Sequence, residues 1–233
     1  MTDPANCGAC GTVCPISCSA GTCLRATGVA AGLASSACAV ISDGTVRCWG
    51  ANFFGELGIG TSFQQTSAAP TPSPTTVLNL SKASFVGMGF GNACAIVTGG
   101  ALRCWGDNQS GELGNGTVGN SLSFLVANPV PTLTSGVMAV GSSGGGSSGF
   151  TSCALLSTGA VDCWGTTGFG EAGDMAVVNG SQPTPVRVTL PAAALSLGVG
   201  GVTACAVITG GTVSCWGSNG VGQLANDYFS ALP

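Results

Sequence analysis

The stretch CAVISDGTVRCWG, residues 38–50, decides how this chain folds. It places two cysteines ten residues apart on either side of an Asp-Gly pair and ends in Trp-Gly. The same arrangement occurs four times, with the first cysteine at Cys38, Cys94, Cys153 and Cys205. Because the copies start 56, 59 and 52 residues apart while the cysteine spacing stays at ten, the sequence predicts a rigid unit joined by loops of variable length.

Each copy has the pattern of a β-hairpin. CAVIS and TVRCW are short runs rich in β-branched and aromatic residues, and the residues between them favour a turn. If the two cysteines face each other, a three-residue loop remains, and its last position takes a left-handed conformation that favours glycine. Glycine occupies that position in all four copies, as Gly44, Gly100, Gly159 and Gly211.

The two cysteines of each hairpin are predicted to form a disulfide. In this register they lie directly opposite each other, at a Cα separation of roughly 4.5 to 5.5 Å that a disulfide accepts. Paired free thiols and metal ligation are the alternatives, but two thiolates half-fill a tetrahedral site and the chain has no histidine to complete it. The predicted pairs are Cys38–Cys48, Cys94–Cys104, Cys153–Cys163 and Cys205–Cys215.

The composition excludes several classes of function. Only 6% of the 233 residues are charged and the net charge is −4, so the chain lacks the cationic clusters that bind nucleic acids and anionic membranes. No apolar run approaches the roughly 18 residues that cross a bilayer. Without histidine a Ser-His or Cys-His nucleophile cannot form, and we expect no catalytic residue, no metal site and no cofactor. Thirteen cysteines indicate an oxidising compartment, and hence an extracellular or cell-surface location.

The chain divides into a cysteine-rich segment, residues 1–26, and a repeat region, residues 27–233. The repeats cover approximately 27–80, 81–134, 135–191 and 192–233. Each holds a strand before the hairpin, the two hairpin strands, and an outer strand after a long loop, as in TTVLNL, NPVPTL and TPVRVTL. Four short antiparallel strands per roughly 50 residues indicate an all-β protein built from β-propeller blades. We expect the tryptophans to anchor the packing between blades: Trp49, Trp105, Trp164 and Trp216.

The phrases RCWGANFFGELGIGT and RCWGDNQSGELGNGT resemble the repeat of the regulator of chromosome condensation family. Blades of that family carry a Trp-Gly-x-Asn-x-x-Gly-Gln-Leu-Gly phrase, and the resemblance covers about residues 27–233. The third copy departs from the phrase at Thr167 and Ala172 and the fourth departs at Ala225, so we expect looser loops there. The resemblance implies a β-propeller, which has seven blades in the best-known members.

The family's founding activity is nucleotide exchange on a small nuclear GTPase, by a protein without a disulfide in each blade. The cysteine-paired version is similar to repeats in secreted or surface proteins of bacteria, where the shared theme is protein binding through loops at a propeller face. The resemblance therefore implies the fold and an interaction role more directly than the exchange activity.

The N-terminal run TDPANCGACGTVCPISCSAGTC resembles a small cysteine-rich module of surface proteins from predatory soil bacteria. The resemblance implies a disulfide knot, whose sixth cysteine would lie upstream of Thr-Asp-Pro. Zinc binding is one alternative, and an iron–sulfur cluster is another because the spacing approximates a ferredoxin run, although the third cysteine comes one residue late. The module's cysteines are Cys7, Cys10, Cys14, Cys18 and Cys23.

An acidic residue recurs in the loop after the tryptophan. Glu56, Glu112 and Glu171 hold the same repeat position, which raises the alternative of a carboxylate ring that binds calcium or performs acid–base chemistry. The fourth copy has Gln223 there. Because an amide replaces a carboxylate in hydrogen bonding to a loop backbone but not in proton transfer, we expect a structural role.

Two further stretches are predicted to be loops: the polar, Pro-rich residues 61–76 and the glycine-rich residues 141–150. The fourth repeat ends in ANDYFSALP, without the outer strand of the other three. We therefore expect about four blades in an incomplete ring or arc, in a chain that is a fragment of a longer protein or is completed by neighbouring chains.

The sequence favours a non-catalytic secreted or cell-surface module that binds a protein or a glycan through blade-connecting loops, but it does not identify the ligand-binding residues. A structural subunit of an extracellular assembly is the alternative, and open blade edges also allow self-association. Nucleotide exchange on a small GTPase is a further alternative.

Overall fold

The computed structural model describes residues 17–67, 69–119, 124–144, 150–173 and 180–225. Within them no helix has the length and apolar character needed to span a membrane. The elements are β1 (Cys18–Ser19), β2 (Thr22–Cys23), β3 (Ala26–Gly32), β4 (Ser36–Ile41), β5 (Val46–Gly50), α1 (Phe63–Thr66), β6 (Thr71–Thr76), β7 (Ala83–Met88), β8 (Asn92–Val97), β9 (Ala101–Gly106), β10 (Asn128–Pro129), β11 (Val137–Ser142), β12 (Thr151–Leu156), β13 (Val161–Thr166), β14 (Ser181–Arg187), β15 (Ala194–Gly200), β16 (Thr203–Ile208) and β17 (Val213–Gly217).

The strands form antiparallel sheets in simple chain order. Blade 1 is β3-β4-β5-β6, blade 2 is β7-β8-β9-β10, blade 3 is β11-β12-β13-β14, and blade 4 is β15-β16-β17. A separate two-stranded sheet, β1-β2, precedes blade 1. The prediction of an all-β fold made of four-stranded propeller blades is confirmed, and blade 4 has three strands within the described residues.

The hairpin geometry follows from the turn. In blade 1 the Ile41 N–H donates to the Thr45 carbonyl and the Gly44 N–H donates to the Ile41 carbonyl, both at 2.8 Å, and Gly44 has φ 80°. Facing residues in an antiparallel hairpin alternate between hydrogen-bonded and non-hydrogen-bonded pairs. Ile41 and Thr45 form a hydrogen-bonded pair, so Cys38 and Cys48, three pairs further along, form a non-hydrogen-bonded pair, in which the Cα atoms come closest. The cysteines are bonded in all four hairpins, with Cα separations of 4.0 to 4.1 Å.

The other predicted turn glycines also have positive φ: Gly100 76°, Gly159 79° and Gly211 84°. An added Cβ at Gly100 would come within 2.5 Å of the Gly136 backbone nitrogen, whereas at Gly211 nothing lies within 4 Å. The turn therefore packs closely against the chain entering the next blade in blade 2 but is open in blade 4.

The outer strands differ from the sequence prediction. The predicted strand TTVLNL covers residues 75–80, but β6 ends at Thr76, and Val77 and Leu80 are buried between blades instead. The prediction of a loop over residues 61–76 is wrong, because α1 and β6 lie within it. β6 is the outermost strand of its sheet, the position at which prolines are tolerated, and it contains Pro72 and Pro74. The predicted loop over residues 141–150 is also partly wrong, since β11 extends to Ser142; residues 145–149 lie outside the described residues.

The core lies in the seams between consecutive blades. Each blade has a forward face, which carries the disulfide and contacts the next blade, and a backward face, which carries the tryptophan and contacts the preceding blade. In the first seam Cys38, Cys48 and Leu57 of blade 1 pack against Ala95 and Trp105 of blade 2. The second and third seams repeat this arrangement with the equivalent residues of the next blades.

Candidate functional site: blade seams and the loop face

The connections from the first to the second strand and from the third to the fourth strand of each blade lie at the same edge of the sheet. We call the surface that they form the loop face; the hairpin turns lie at the opposite edge. The connection after the third strand carries the Trp-Gly phrase and its acidic residue, and it shapes the loop face.

The first residue of the loop after each tryptophan is a glycine, at a position that does not accept a residue with a side chain. Gly50 and Gly106 have φ 104° and 98°, and a Cβ at Gly50 would collide with the Ser35 carbonyl oxygen of the neighbouring loop. An asparagine then holds the loop: the Asn52 side-chain oxygen accepts the Leu57 N–H at 3.1 Å, and Asn108 accepts the Leu113 N–H at the same distance.

The side chain of the recurring glutamate accepts hydrogen bonds from backbone N–H groups of the same loop. The Glu56 carboxylate accepts the N–H groups of Phe53 and Phe54, at 3.2 and 2.8 Å. Glu112 and Glu171 each accept one loop N–H at 2.7 Å, and Gln223 accepts one at 2.9 Å in blade 4. Three buried glutamates and one exposed glutamine thus make the same hydrogen bond, which supports the structural role over a calcium or acid–base ring.

Burial has a large effect on these carboxylates. The pKa of Glu56 and of Glu112 is raised to about 7, chiefly because burial removes hydration from the carboxylate, and the nearby Asp107 carboxylate contributes to the increase. Burial also raises the pKa of Glu171. One carboxylate oxygen of Glu112 and one of Glu171 are buried without a hydrogen-bond partner, so the neutral acid suits this environment better than the anion.

The tryptophans join the blades through the backbone of the acidic residue. The indole N–H of Trp105 donates to the Glu56 carbonyl at 2.9 Å, that of Trp164 to the Glu112 carbonyl at 2.7 Å, and that of Trp216 to the Glu171 carbonyl at 3.1 Å. The sequence predicts these tryptophans as packing anchors but not this hydrogen bond, although the tryptophan recurs in all four copies and the glutamate in three of them.

Trp49 has a different environment from the other three tryptophans. It lies on the backward face of blade 1, is partly exposed, and makes no hydrogen bond through its indole within the described residues. Leu24, which precedes β3, packs beside it and covers Ala39 and Ile41. A groove of about 400 Å³ remains next to Trp49, lined also by Val29, Arg47 and Pro74.

Two of the three departures from the repeat phrase, Thr167 and Ala225, are accommodated locally. Thr167 replaces the asparagine of the third loop, and its hydroxyl donates to the Gly180 carbonyl at 2.8 Å. Ala225 replaces the last glycine of the fourth phrase and takes φ 53°, a left-handed conformation that costs an alanine of order 1 to 3 kcal/mol.

A row of phenylalanines crosses the loop face. Phe54 of blade 1 contacts Phe90 of blade 2 with ring centroids 5.9 Å apart, and Phe90 contacts Phe150 of blade 3 at 5.8 Å. Phe53 packs edge-to-face on Phe63 at 5.5 Å, and both rings are more than two fifths exposed. The ionisable groups that the described residues place on this face are carboxylates of buried side chains: Glu56, Asp107, Glu112 and Glu171.

The cysteine-rich module is described only in part. Cys18 and Cys23 lie opposite each other across β1 and β2, and each takes part in a disulfide. Neither is therefore available as a metal ligand. Cys7, Cys10 and Cys14 lie outside the described residues. In the part of the chain that the structure describes, no three potential metal ligands come together.

Comparison with known proteins identifies the repeat. Residues 84–112, which include the second hairpin and its loop, match the family model described as "Regulator of chromosome condensation (RCC1) repeat". The chain is built from RCC1-type β-propeller repeats. The resemblance drawn from the Trp-Gly phrases is confirmed, and the disulfide in each blade is an addition to those phrases.

Two curated relatives are longer than this chain. The mitochondrial RCC1 domain-containing protein RUG3 of Arabidopsis thaliana is 30% identical over 183 residues, which are 77% of this chain and 39% of RUG3. The ultraviolet-B receptor UVR8 of the same plant is 27% identical over 201 residues, 86% of this chain and 43% of UVR8. The chain thus spans about two fifths of the length of these relatives.

Among solved structures, yeast RCC1 (Prp20), determined with Kap60 bound to it, superposes with a TM-score of 0.73 at 16% identity. The superposition covers 95% of this chain and 50% of that chain. The four RCC1-type blades therefore have the arrangement of consecutive blades in an RCC1 propeller.

Proposed function

We propose that this chain is a non-catalytic protein-interaction module of the extracellular space or cell surface, and that its loop face binds the partner. The observation that carries the proposal is the apolar character of that face. Rings from three blades form one row, and two further phenylalanines of the loops after the third strands, Phe53 and Phe169, expose 43% and 47% of their surface. Contiguous exposed apolar surface of this kind is typical of protein interaction sites.

Aromatic side chains provide most of the binding energy in protein interfaces, because they bury a large area at a small entropic cost. The phenylalanines have no polar group with which to orient a sugar, so an apolar protein segment matches the surface better than a glycan does. No described loop-face residue exposes a cation, which also disfavours an acidic partner.

The disulfides support the location. Every blade has one, and those of blades 1 to 3 are buried in the seams, so the fold depends on oxidised cysteines. Such bonds persist in oxidising compartments and are rare in the cytosol, where an exchange factor for a small GTPase would act.

Relatives provide a precedent for protein ligands. Yeast RCC1 is bound by Kap60 in its crystal structure, and yeast Prp20p is described with binding properties toward Gsp1p and histones. These ligands are those of the yeast proteins. For this chain we propose only the chemical character of the partner, an apolar protein segment.

Selection from a random-peptide phage library on the immobilised chain tests the proposal. We expect enriched peptides to be apolar, and their affinity to fall about tenfold or more when Phe53 and Phe169 are both changed to serine. The matched control is Met138→Ser, which removes a 63% exposed apolar side chain next to Val137, at the hairpin-turn edge of blade 3. Peptides that bind both variants equally, or a glycan array that gives the only specific signal, would contradict the proposal.

A further inference from the structure

The basic side chains of this protein lie away from the loop face. The sequence has five of them: Arg25, Arg47, Lys82, Arg103 and Arg187. Arg25 and Lys82 contact the first hairpin turn, and Arg187 ends its strand in an ion pair with Asp162 near the third turn. Arg47 and Arg103 lie within third strands, each three residues, or roughly 10 Å, before the glycine at which the loop begins.

The loop face carries charge of the opposite sign. Its four carboxylates are Glu56, Asp107, Glu112 and Glu171. They accept hydrogen bonds from backbone N–H groups, and Asp107 also accepts one from the Gln109 side chain. Within the described residues none of the four forms an ion pair. Because no basic side chain neutralises these groups, their negative potential extends from the loop face into the solvent.

Oxygen atoms without a hydrogen-bond partner lie beneath the same face. Among the described residues, five buried side-chain oxygens have no partner, and each belongs to a loop of this face or to the strand end next to it: Ser36, Ser62, Asn92, Glu112 and Glu171. None of them lies at the hairpin-turn edge of the described blades. The Asn92 oxygen points toward the loop that carries Phe90, since a Cβ added at Gly89 would be 2.3 Å from it.

The carboxylates lie directly behind the phenylalanine row. A Cβ added at Gly91 would be 2.6 Å from the Phe54 ring and 3.3 Å from the Asp107 Cβ, so ring and acid are neighbours. Glu56 accepts the backbone N–H of Phe54 itself. The rings of the row are partly exposed, and the face of an aromatic ring attracts a cation. Ring and carboxylate therefore favour positive charge at the same place.

We propose that the protein segment bound at the loop face is cationic as well as apolar, and that its lysine or arginine side chains lie over the phenylalanine row. This inference rests on the proposed function, because it takes the loop face as the binding surface. Lysine and arginine carry hydrogen-bond donors and no acceptor, so they complement a face whose charges are carboxylates and whose unpartnered atoms are oxygens. Arginine suits the face best, because its guanidinium group stacks on aromatic rings and is weakly hydrated.

Selection from the random-peptide phage library at about pH 8 tests this inference. Burial raises the pKa of Glu56 to about 7, so its carboxylate is ionised under these conditions. We expect lysine and arginine to be enriched among the bound peptides, and aspartate and glutamate to be depleted. Replacing the lysines and arginines of a bound peptide by glutamine should weaken binding about tenfold, and only the cationic version should lose affinity between about 0.05 M and about 0.5 M sodium chloride.

A substitution that removes one charge locates the effect on the protein. Glu56→Gln keeps an acceptor for the loop N–H groups, as Gln223 does in blade 4. It should weaken the cationic peptides about threefold to fivefold and leave their glutamine versions unchanged. The matched control is Asp43→Asn, which removes a carboxylate at the first hairpin turn and should alter neither affinity. Circular dichroism should show that both variants are folded.

The possible outcomes separate this inference from the proposed function. Bound peptides without enriched lysine and arginine overturn the inference and leave the proposed function standing. So do bound peptides that are insensitive to the glutamine replacement or to Glu56→Gln, and equal effects of Glu56→Gln and Asp43→Asn. A selection that yields no peptide sensitive to the double change of Phe53 and Phe169 overturns the proposed function itself.

Discussion

The indole N–H of Trp164 in blade 3 donates to the backbone carbonyl of Glu112 in blade 2 at 2.7 Å, and the same carbonyl accepts the Ser152 hydroxyl at 2.9 Å. The side chain of Glu112 holds its own loop at the same time. One residue therefore connects the shape of the loop face to the seam beneath it, and changes at either partner are expected to affect both.

Removing the indole N–H should destabilise the first seam. Trp105→Phe keeps an aromatic ring but leaves the buried Glu56 carbonyl without this donor, and we expect a loss of about 1 to 3 kcal/mol in the free energy of unfolding. The matched control is Trp49→Phe, whose indole makes no such bond within the described residues. Chemical denaturation at low protein concentration measures both. Equal effects of the two substitutions would contradict the role of the seam hydrogen bond.

The buried glutamates should make stability fall as pH rises. The folded pKa of Glu112 is about 7, above its ordinary value of 4.5, so ionisation favours the unfolded chain between these values. The stabilising contribution is complete below pH 4.5, declines up to about pH 7 and is then lost. Glu112→Gln keeps a hydrogen-bond acceptor, as Gln223 does, and should raise stability at pH 8 by about 1 to 3 kcal/mol with little change at pH 4.

Thermal unfolding of the wild type and of Glu112→Gln across this pH range provides the measurement. Glu112→Ala is the control, because it removes the charge but also the acceptor for the Ser110 N–H. A wild-type melting temperature that rises from pH 5 to pH 8, or a Glu112→Gln variant no more stable than Glu112→Ala, would contradict this account.

The hairpins could be derived from sequence because all their determinants are local. The ten-residue cysteine spacing and the turn glycine fix the register, and Cys38 lies opposite Cys48 as that register requires. The outer strand could not be placed from the sequence. Val77 and Leu80 fit the pattern of a strand, but in the structure their apolar side chains pack in the seam between two blades. Burial between blades and burial within a sheet leave the same pattern in a short segment.

The phenylalanine row on the loop face has no periodic signal in the sequence. Phe54 follows a third strand whereas Phe90 and Phe150 follow first strands, so the three rings hold different repeat positions and meet only when the blades stack. The Trp-to-Glu hydrogen bond was within reach of sequence reasoning, because both residues recur in register. The exposure of Val213 and Val29 required the structure, since these valines differ from their equivalents in exposure and not in apolar character.

The turn glycines should differ in cost between blades. Gly211→Ala adds a methyl group where nothing lies within 4 Å, so it should cost only the left-handed strain, about 1 kcal/mol. Gly100→Ala adds the same strain and also brings the methyl group against the backbone of Gly136 and Val137, so we expect a clearly larger loss. Urea denaturation compares them, and equal losses would mean that the turn of blade 2 is not packed as described.

The four disulfides should differ in their rate of reduction. Cys205 and Cys215 are partly exposed, whereas Cys94 and Cys104 are buried under blade 3. Under native conditions and at low protein concentration, a phosphine reductant followed by alkylation should label Cys205 and Cys215 first. Mass spectrometry identifies the labelled residues, and labelling of Cys94 and Cys104 at the same rate would show that the seam does not protect them.

Peptide mapping without reduction tests the central claim, that each blade is a disulfide-closed hairpin in a module made for an oxidising environment. The chain should be secreted from an expression host, alkylated before digestion and analysed by mass spectrometry. We predict four linked peptide pairs, Cys38–Cys48, Cys94–Cys104, Cys153–Cys163 and Cys205–Cys215, with no free thiol among them. Alkylated cysteines at these positions, or links between different repeats, would contradict the account.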